Sequence, residues 1–182
     1  GPLSLLGGGA AEVVASGGAR LGEAALASLD LTAGGAVAQA AGTKLTLGTL
    51  EVATAGGAVT LDAAGNAFAG AVTVDTTAGG AAAADVALTS AGALTLGGIG
   101  AKGLEISAGG DVLALGAVEA EGDARISAFR SLGDGDAATG SFGDVTLTAA
   151  GSRVGGTLSA TGGRIELALE GGGRLAGGWA GG

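Results

Sequence analysis

Carboxylates are the side chains of this sequence that could carry out catalysis or bind a metal ion. The sequence contains no histidine, cysteine or tyrosine, which removes most general bases, nucleophiles and imidazole or thiolate ligands. Glu119 and Glu121 are two residues apart in a segment of alternating apolar residues, so both would point to the same side of a strand. Two carboxylates on one face are the arrangement that glycoside hydrolysis requires.

The same pair has a structural interpretation, which the surrounding residues favour. Asp123 and Arg125 continue the polar stripe that Glu119 and Glu121 begin. A sugar cleft usually also contains aromatic rings, and the chain has only three Phe and one Trp. We therefore predict no catalytic residue, no cofactor and no enzymatic activity, and keep a polysaccharide-active enzyme as the weakest alternative.

A second acidic group is formed by Asp134, Asp136 and Asp144 in the stretch LGDGDAATGSFGD. It resembles one copy of the calcium-binding nonapeptide G-G-x-G-x-D-x-U-x. Consecutive turns share each ion in that motif, so tandem copies are needed, and the sequence has one imperfect copy. We interpret the stretch as an acidic, solvated loop, predict no metal site, and leave calcium binding by the three aspartates open.

The composition is that of a folded β protein with small side chains. Glycine occupies 42 of 182 positions, but 47% of the residues are hydrophobic and only 14% are charged, unlike a disordered glycine-rich linker. The formal net charge of −9 argues against nucleic acid and against anionic membranes as partners. No apolar segment is long enough to predict insertion into a membrane.

An alternating apolar triplet recurs along the chain at nearly regular intervals. Counted between first residues, the successive spacings are 21, 22, 14, 18, 20, 21 and 20, and the register around residues 78–96 stays open because of the spacing of 14. The triplets are Leu29–Leu31, Leu50–Val52, Val72–Val74, Val86–Leu88, Leu104–Ile106, Ala124–Ile126, Val145–Leu147 and Ile165–Leu167. A fixed period of about 20 residues is the signature of a repeat architecture.

Short alternating segments separated by glycine predict strands rather than helices. A second set of triplets lies between the first, at Leu45–Leu47, Val59–Leu61 and Leu94–Leu96, so each unit contains at least two strands. Residues 23–29 and 81–84 have local helical propensity, and we predict strand or turn for both. A unit this small buries its apolar face only by stacking on its neighbours, which predicts a parallel β-helix of about eight or nine coils.

The stacking predicts where individual residues point. Val112, Ala124 and Ile126 should face inward, and Asp123 and Arg125 should face water. Glycines should form the corners, where a positive φ carries no penalty; we expect this at Gly109, Gly110 and Gly122. Glu105 and Arg125 should lie one coil apart in the same outward column, within reach of each other.

The repeat GGDVLALGAVEAEGDARISA at residues 109–128 resembles the repeats of filamentous haemagglutinin-type exoproteins, which are secreted by the two-partner route. GALTLGGIGAKGLEISAGG at 92–110 and FGDVTLTAAG at 142–151 have the same pattern. The resemblance implies a right-handed parallel β-helix from an adhesin or from the stalk of a contact-dependent inhibition toxin. It also implies secretion or display at the bacterial cell surface, with an outer-membrane two-partner-secretion transporter as the partner of the parent chain.

These observations give the expected organisation and function. Residues 1–4 resemble the scar of a cleaved expression tag, residues 5–170 form one β-helix domain, and residues 171–182 form a glycine-rich tail. The expected function is a structural shaft that presents distal modules to host or neighbouring cells; the alternative is a glycan- or receptor-binding module that uses an outward face. The open ends of such a fragment can associate end to end.

Overall fold

The computed structural model describes residues 1–128, 143–162, 164–170 and 174–175. The described residues form strands and turns and no helix, so this part of the chain has no helix with the length and apolar character needed to cross a membrane. The all-β class predicted from the sequence is confirmed.

Short strands follow one another throughout the described part of the chain. In chain order they are β1 Leu3–Leu6, β2 Ala10–Ala15, β3 Ala19–Ala33, β4 Val37–Gln39, β5 Leu45–Thr54, β6 Val59–Leu61, β7 Ala67–Phe68, β8 Ala71–Asp75, β9 Thr77–Ala78, β10 Ala81–Ala82, β11 Val86–Ser90, β12 Leu94–Ala101, β13 Leu104–Ala108, β14 Val112–Ala114, β15 Val118–Ala120, β16 Ala124–Ala128, β17 Val145–Leu147, β18 Arg153–Val154, β19 Thr157–Thr161, β20 Ile165–Leu167 and β21 Arg174–Leu175.

The strands stack in parallel as a β-helix of about seven turns of roughly 21 residues each. The predicted architecture is confirmed, and the coil length is close to the expected 20. Seven turns are slightly fewer than the expected eight or nine coils. Two coils are longer than the others, because Val59 pairs with Val86 and Ala124 pairs with Leu158; the stretches that contain the extra residues, 60–85 and 125–157, are called the inserted segments.

Each coil contributes strands to three faces. Face 1 contains β2, the last parts of β3 and β5, β8, the last part of β12, β15 and β18. Face 2 contains the first part of β3, β4, β6, β11, β13, β16, β19 and β21. Face 3 contains the last part of β1, the middle of β3, the first part of β5, β7, the first part of β12, β14, β17 and β20.

The interior consists of columns of aliphatic side chains. Every predicted triplet lies in a strand, and Val112, Ala124 and Ile126 are buried as expected, while Asp123 and Arg125 are exposed. Full burial of a Leu, Val or Ile side chain contributes about 1.5–3 kcal/mol. The only buried aromatic side chain in the described residues is Phe68, so the core is built almost entirely of stacked Leu, Val, Ile and Ala.

The triplets change face in the region of open register, between Val74 and Val86. Val72 pairs with Leu50 on face 1, whereas Val86 pairs with Val59 and Leu104 on face 2. The short spacing between Val72 and Val86 is therefore a step from one face to the next and not a short coil. A second step, to face 3, precedes Val145. The triplets therefore belong to three different columns: the first three lie on face 1, the next three on face 2 and the last two on face 3.

A small β-hairpin accounts for the irregular region. Val59 and Val86 are direct neighbours on face 2 although they are far apart in sequence, and β9 and β10 form an antiparallel pair within that interval. Gly79 and Gly80 join the two strands with φ of 64° and 91°, as a two-residue turn with both central residues at positive φ requires. Residues 81–84 are strand and turn, as predicted, and residues 23–29 lie within β3.

Among the described residues, glycines with a positive φ occur at Gly8, Gly42, Gly56, Gly79, Gly80 and Gly151, but the three corner glycines named in the prediction are needed for a different reason. Gly109, Gly110 and Gly122 are not among the residues with positive φ. A Cβ on Gly109 would lie 2.0 Å from the carbonyl oxygen of Ala91, and one on Gly116 would lie 1.7 Å from that of Gly97. Successive coils approach backbone to backbone at these corners, so there is no space for a side chain.

The two ends of the predicted domain contain more strand than expected. Leu3 pairs with Leu21, so strand β1 extends into the four residues predicted to be a tag scar. Within the predicted glycine-rich tail, β21 pairs with β19. The other residues from 171 to 182 lie outside the described part of the chain.

Candidate functional site

The carboxylates of Glu119 and Glu121 lie on the same side of the molecule and bind one guanidinium. Arg153 Nε donates to Glu119 Oε2 at 3.0 Å, and Arg153 Nη2 donates to Glu121 Oε1 at 2.5 Å. The prediction that the two glutamates share a face is confirmed. Sequence reasoning missed Arg153, because Arg153 pairs with a residue 34 positions earlier and the predicted period does not connect them.

The polar stripe predicted from Glu119 to Arg125 is divided by a corner. Glu119 lies in β15 on face 1, whereas Arg125 lies in β16 on face 2, with a bend between them. Glu105 and Arg125 are neighbours in one outward column, as predicted. In the described part of the chain they form no ion pair; the pairs found there are those of Arg153 and the pair between Arg164 and Glu166.

Aspartates at the corners connect each coil to the next. In each case a side-chain Oδ1 accepts a hydrogen bond from the backbone N–H of the next coil. The pairs are Asp85 with Gly103 (3.0 Å), Asp111 with Asp144 (2.9 Å), Asp123 with Thr157 (2.7 Å) and Asp144 with Arg164 (3.1 Å). Asp144, a residue of the possible calcium group, thus takes part in two of these hydrogen bonds between successive coils.

The rest of the possible calcium group cannot be placed in the structure. Asp134 and Asp136 lie outside the described residues. Within the described residues, no three acidic side chains are grouped so that they could hold a metal ion.

Polar groups inside the β-helix are paired with one another. Asn66 is fully buried and forms a reciprocal amide pair with Gln39, with both N···O distances at 2.8 Å. Asn66 Oδ1 also accepts the N–H of Leu45, and its Nδ2 donates to the carbonyl of Leu61. No buried side-chain polar atom of the described residues lacks a partner, so this part of the interior offers no polar site waiting for a ligand.

The outward columns of the faces differ in charge. On face 1, Glu12, Asp30 and Glu51 occupy successive positions of one column. On face 3, the outward positions Ala25, Thr46, Ala67, Thr95, Leu113 and Thr146 are uncharged, and Glu166, the partner of Thr146, is the first charged position after them. Face 1 is therefore the acidic side of the molecule.

A groove of about 440 Å³ lies on face 1 beside the β9–β10 hairpin, and we call it the hairpin groove. Gly98 and Gly100 of β12 form its floor. Asp75, Thr77 and the hairpin form one wall, and Glu119, Glu121 and Arg153 form the other. The residues Asp75, Gly100, Glu119 and Arg153 are successive members of one outward column, so the groove is a gap in that column at Gly100.

A second groove, of about 470 Å³, lies on face 2 and is lined by Glu105, Arg125 and neighbouring polar residues. Two of its acidic residues, Asp85 and Asp123, already accept hydrogen bonds from the next coil. Its middle column carries side chains at each position from Thr60 to Ser159. The hairpin groove is therefore the better candidate for a binding site.

A family model described as "repeats of unknown function (DUF5649)" matches residues 8–75 and 83–161. The interval between the matched segments, residues 76–82, coincides with the hairpin. No curated protein and no solved structure matches the chain.

Proposed function

The chain belongs to the DUF5649 family of repeats of unknown function, and we propose that it serves as a structural shaft. In this proposal it is a segment of a large secreted bacterial exoprotein and holds distal modules away from the producing cell. Those modules would adhere to a host or to neighbouring cells. The parent chain would reach the cell surface through an outer-membrane two-partner-secretion transporter, as the resemblance to filamentous haemagglutinin-type repeats implies.

The observation that supports a shaft is the unbroken stack of coils. Buried aliphatic residues continue from Leu21 to Leu158, and the parallel pairing continues past both inserted segments. In such an array each coil contacts only its neighbours, and length grows with the number of repeats. This geometry suits a spacer, whose task is to keep a fixed distance.

Stiffness can be measured with spin labels placed on one column of face 2. The sequence has no cysteine, so labels attach only where cysteine is introduced. Arg20 and Ser159 are six steps apart in the column, and Thr60 and Ser159 are four steps apart. At about 4.8 Å per step, the Arg20→Cys/Ser159→Cys pair should give a backbone separation of about 29 Å and the Thr60→Cys/Ser159→Cys pair about 19 Å.

Double electron–electron resonance should give one narrow distance distribution for each pair, with a difference of about 10 Å. Broad, overlapping distributions would contradict a stiff spacer, because they are what a flexible linker produces.

Surface display is tested on cells of the source organism. Antibodies raised against the purified chain should label intact cells, and protease added to the medium should remove the label. Deletion of the transporter that pairs with the parent protein should abolish the label. Labelling that requires permeabilised cells would contradict export.

A further inference from the structure

Two glycines of the hairpin groove lie within a strand although the fold does not require glycine there. The described strands contain five glycines. A Cβ on Gly22, Gly48 or Gly97 would lie 2.1–2.4 Å from a neighbouring atom. A Cβ on Gly98 would meet nothing closer than 3.8 Å, and one on Gly100 nothing closer than 3.6 Å. Neither of these two glycines has a positive φ.

Glycine within a strand weakens the strand and often marks a position that a ligand approaches closely. Gly98 and Gly100 are the two outward positions of this part of β12, since Ile99 between them is buried. Their missing side chains leave bare peptide groups at the floor of the groove. The peptide groups of this floor can act as a platform for a flat ligand. In many sugar-binding sites the side chain of an aromatic residue provides that platform.

The walls of the groove carry hydrogen-bonding groups with free capacity. Asp75 Oδ1 accepts the N–H of Thr77, and Glu119 and Glu121 each bind Arg153 through one oxygen. In the described part of the chain, the other oxygen of each of these three carboxylates has no hydrogen-bond donor. Arg153 and Thr77 add donors that face the same space.

The balance of charge selects the ligand. Three carboxylates and one guanidinium leave the groove negative, which disfavours acidic sugars. Arg153 forms ion pairs with both Glu119 and Glu121, so Asp75 is, among the described residues, the single carboxylate of the groove without an ion-pair partner. Asp75 and Glu119 are two coil steps apart, about 10 Å. A small cation at Asp75 would leave the floor uncovered, whereas a ring with hydroxyl groups on its edge covers the floor and reaches both walls.

We propose that the hairpin groove binds a neutral oligosaccharide, with one pyranose ring over Gly98 and Gly100. The hydroxyl groups of that ring donate to Asp75 and Glu119 and accept from Arg153. The volume of about 440 Å³ lies within the range of small-molecule sites. The hairpin that forms one wall is the segment between the two matched parts of the repeat family, so the groove is an addition to the repeat and does not depend on the shaft function.

The experiment measures binding of the full chain to neutral tetrasaccharides built from glucose, galactose, mannose or N-acetylglucosamine, by saturation-transfer NMR and calorimetry. At least one should bind at millimolar concentration. The Gly98→Ala/Gly100→Ala variant should bind it about tenfold more weakly while its melting temperature stays the same or rises. Gly92→Ala is the matched control, because a Cβ there also meets open space but lies outside the groove.

A second pair of variants tests the wall. Asp75→Asn keeps the oxygen that caps Thr77 and should weaken binding about fivefold. Asp85→Asn, which keeps the equivalent cap on Gly103, should leave binding unchanged.

Three results would overturn the proposal. They are no binding of any neutral tetrasaccharide, binding that the Gly98→Ala/Gly100→Ala variant retains in full, and salt-sensitive binding of tetralysine in place of the sugars. The last result would make the groove a site for basic peptides. None of the three bears on the spin-label distances that test the shaft.

Discussion

The carboxylate of Asp123 accepts a hydrogen bond from the backbone N–H of Thr157 at 2.7 Å, across the boundary between two successive coils. Three other aspartates form the same contact at other corners. At each of these corners, a backbone N–H of one coil is thus hydrogen-bonded by a side-chain oxygen of the preceding coil instead of a backbone carbonyl.

Removing this acceptor should destabilise the stack measurably. Asp123→Ala leaves the N–H of Thr157 without its charged partner, and we expect the free energy of unfolding to fall by about 1 kcal/mol. Denaturant titration followed by far-UV circular dichroism gives the value. Glu105→Ala on the same face removes a carboxylate without such a hydrogen bond and should change stability by less than about 0.5 kcal/mol. Equal losses in the two variants would show that general charge, not the hydrogen bond, is responsible.

The amide pair of Gln39 and Asn66 should contribute more to the free energy of unfolding than a single corner hydrogen bond does. Asn66→Leu removes the partners of Gln39, Leu45 and Leu61 at a fully buried position, and we expect a loss of about 3 kcal/mol. The double variant Gln39→Leu/Asn66→Leu should lose less than the sum of the two single variants, because neither amide is then left unpaired. If the loss of the double variant equals the sum of the two single losses, the hydrogen bonds between Gln39 and Asn66 do not contribute to stability.

The stability cost of replacing a glycine with alanine should depend strongly on the space around that glycine. Gly116→Ala places a methyl group 1.7 Å from the carbonyl oxygen of Gly97, so the two coils must separate locally, and a loss of more than about 3 kcal/mol is expected. Gly92→Ala meets nothing within 4 Å and should be neutral or slightly stabilising. Thermal unfolding of the two variants side by side tests the contrast, and similar melting temperatures would contradict it.

Arg153 should contribute to stability only weakly and in a salt-dependent manner. Its side chain is 51% exposed and those of Glu119 and Glu121 are 45% and 38% exposed, so water screens the ion pairs. Arg153→Met should cost about 0.5 kcal/mol at low ionic strength and less in molar salt, where the Debye length falls to about 3 Å. A loss that does not change with salt would point to packing of the side-chain stem instead.

The sequence was sufficient to predict the β-helix because its inward residues repeat locally. Alternation at Leu50–Val52 or Leu104–Ile106 identifies a strand from three residues, and glycine at regular intervals excludes helix. Assignment of each strand to a face needs the length of every coil. The hairpin after Asp75 and the segment of residues 129–142 change that length without changing the triplets.

The candidate site could be predicted only in part for the same reason. Glu119 and Glu121 are neighbours in sequence, so their common face was predictable from the strand period. Their partner Arg153 and the opposite wall at Asp75 join them only through the register across both inserted segments. The importance of Gly98 and Gly100 was hidden among 42 glycines, since composition does not tell which of them have room for a side chain.

Neighbouring coils of this chain differ greatly in length, yet their inward side chains stay in line. Val86 stacks on Leu104 across a short coil, and Ala124 stacks on Leu158 across one that is almost twice as long. Insertions and deletions at corners therefore leave the packing of the interior unchanged. Such repeats can diversify by acquiring loops without refolding the core, and a peptide grafted between Gly79 and Gly80 would extend from the surface while the strands on either side keep their partners.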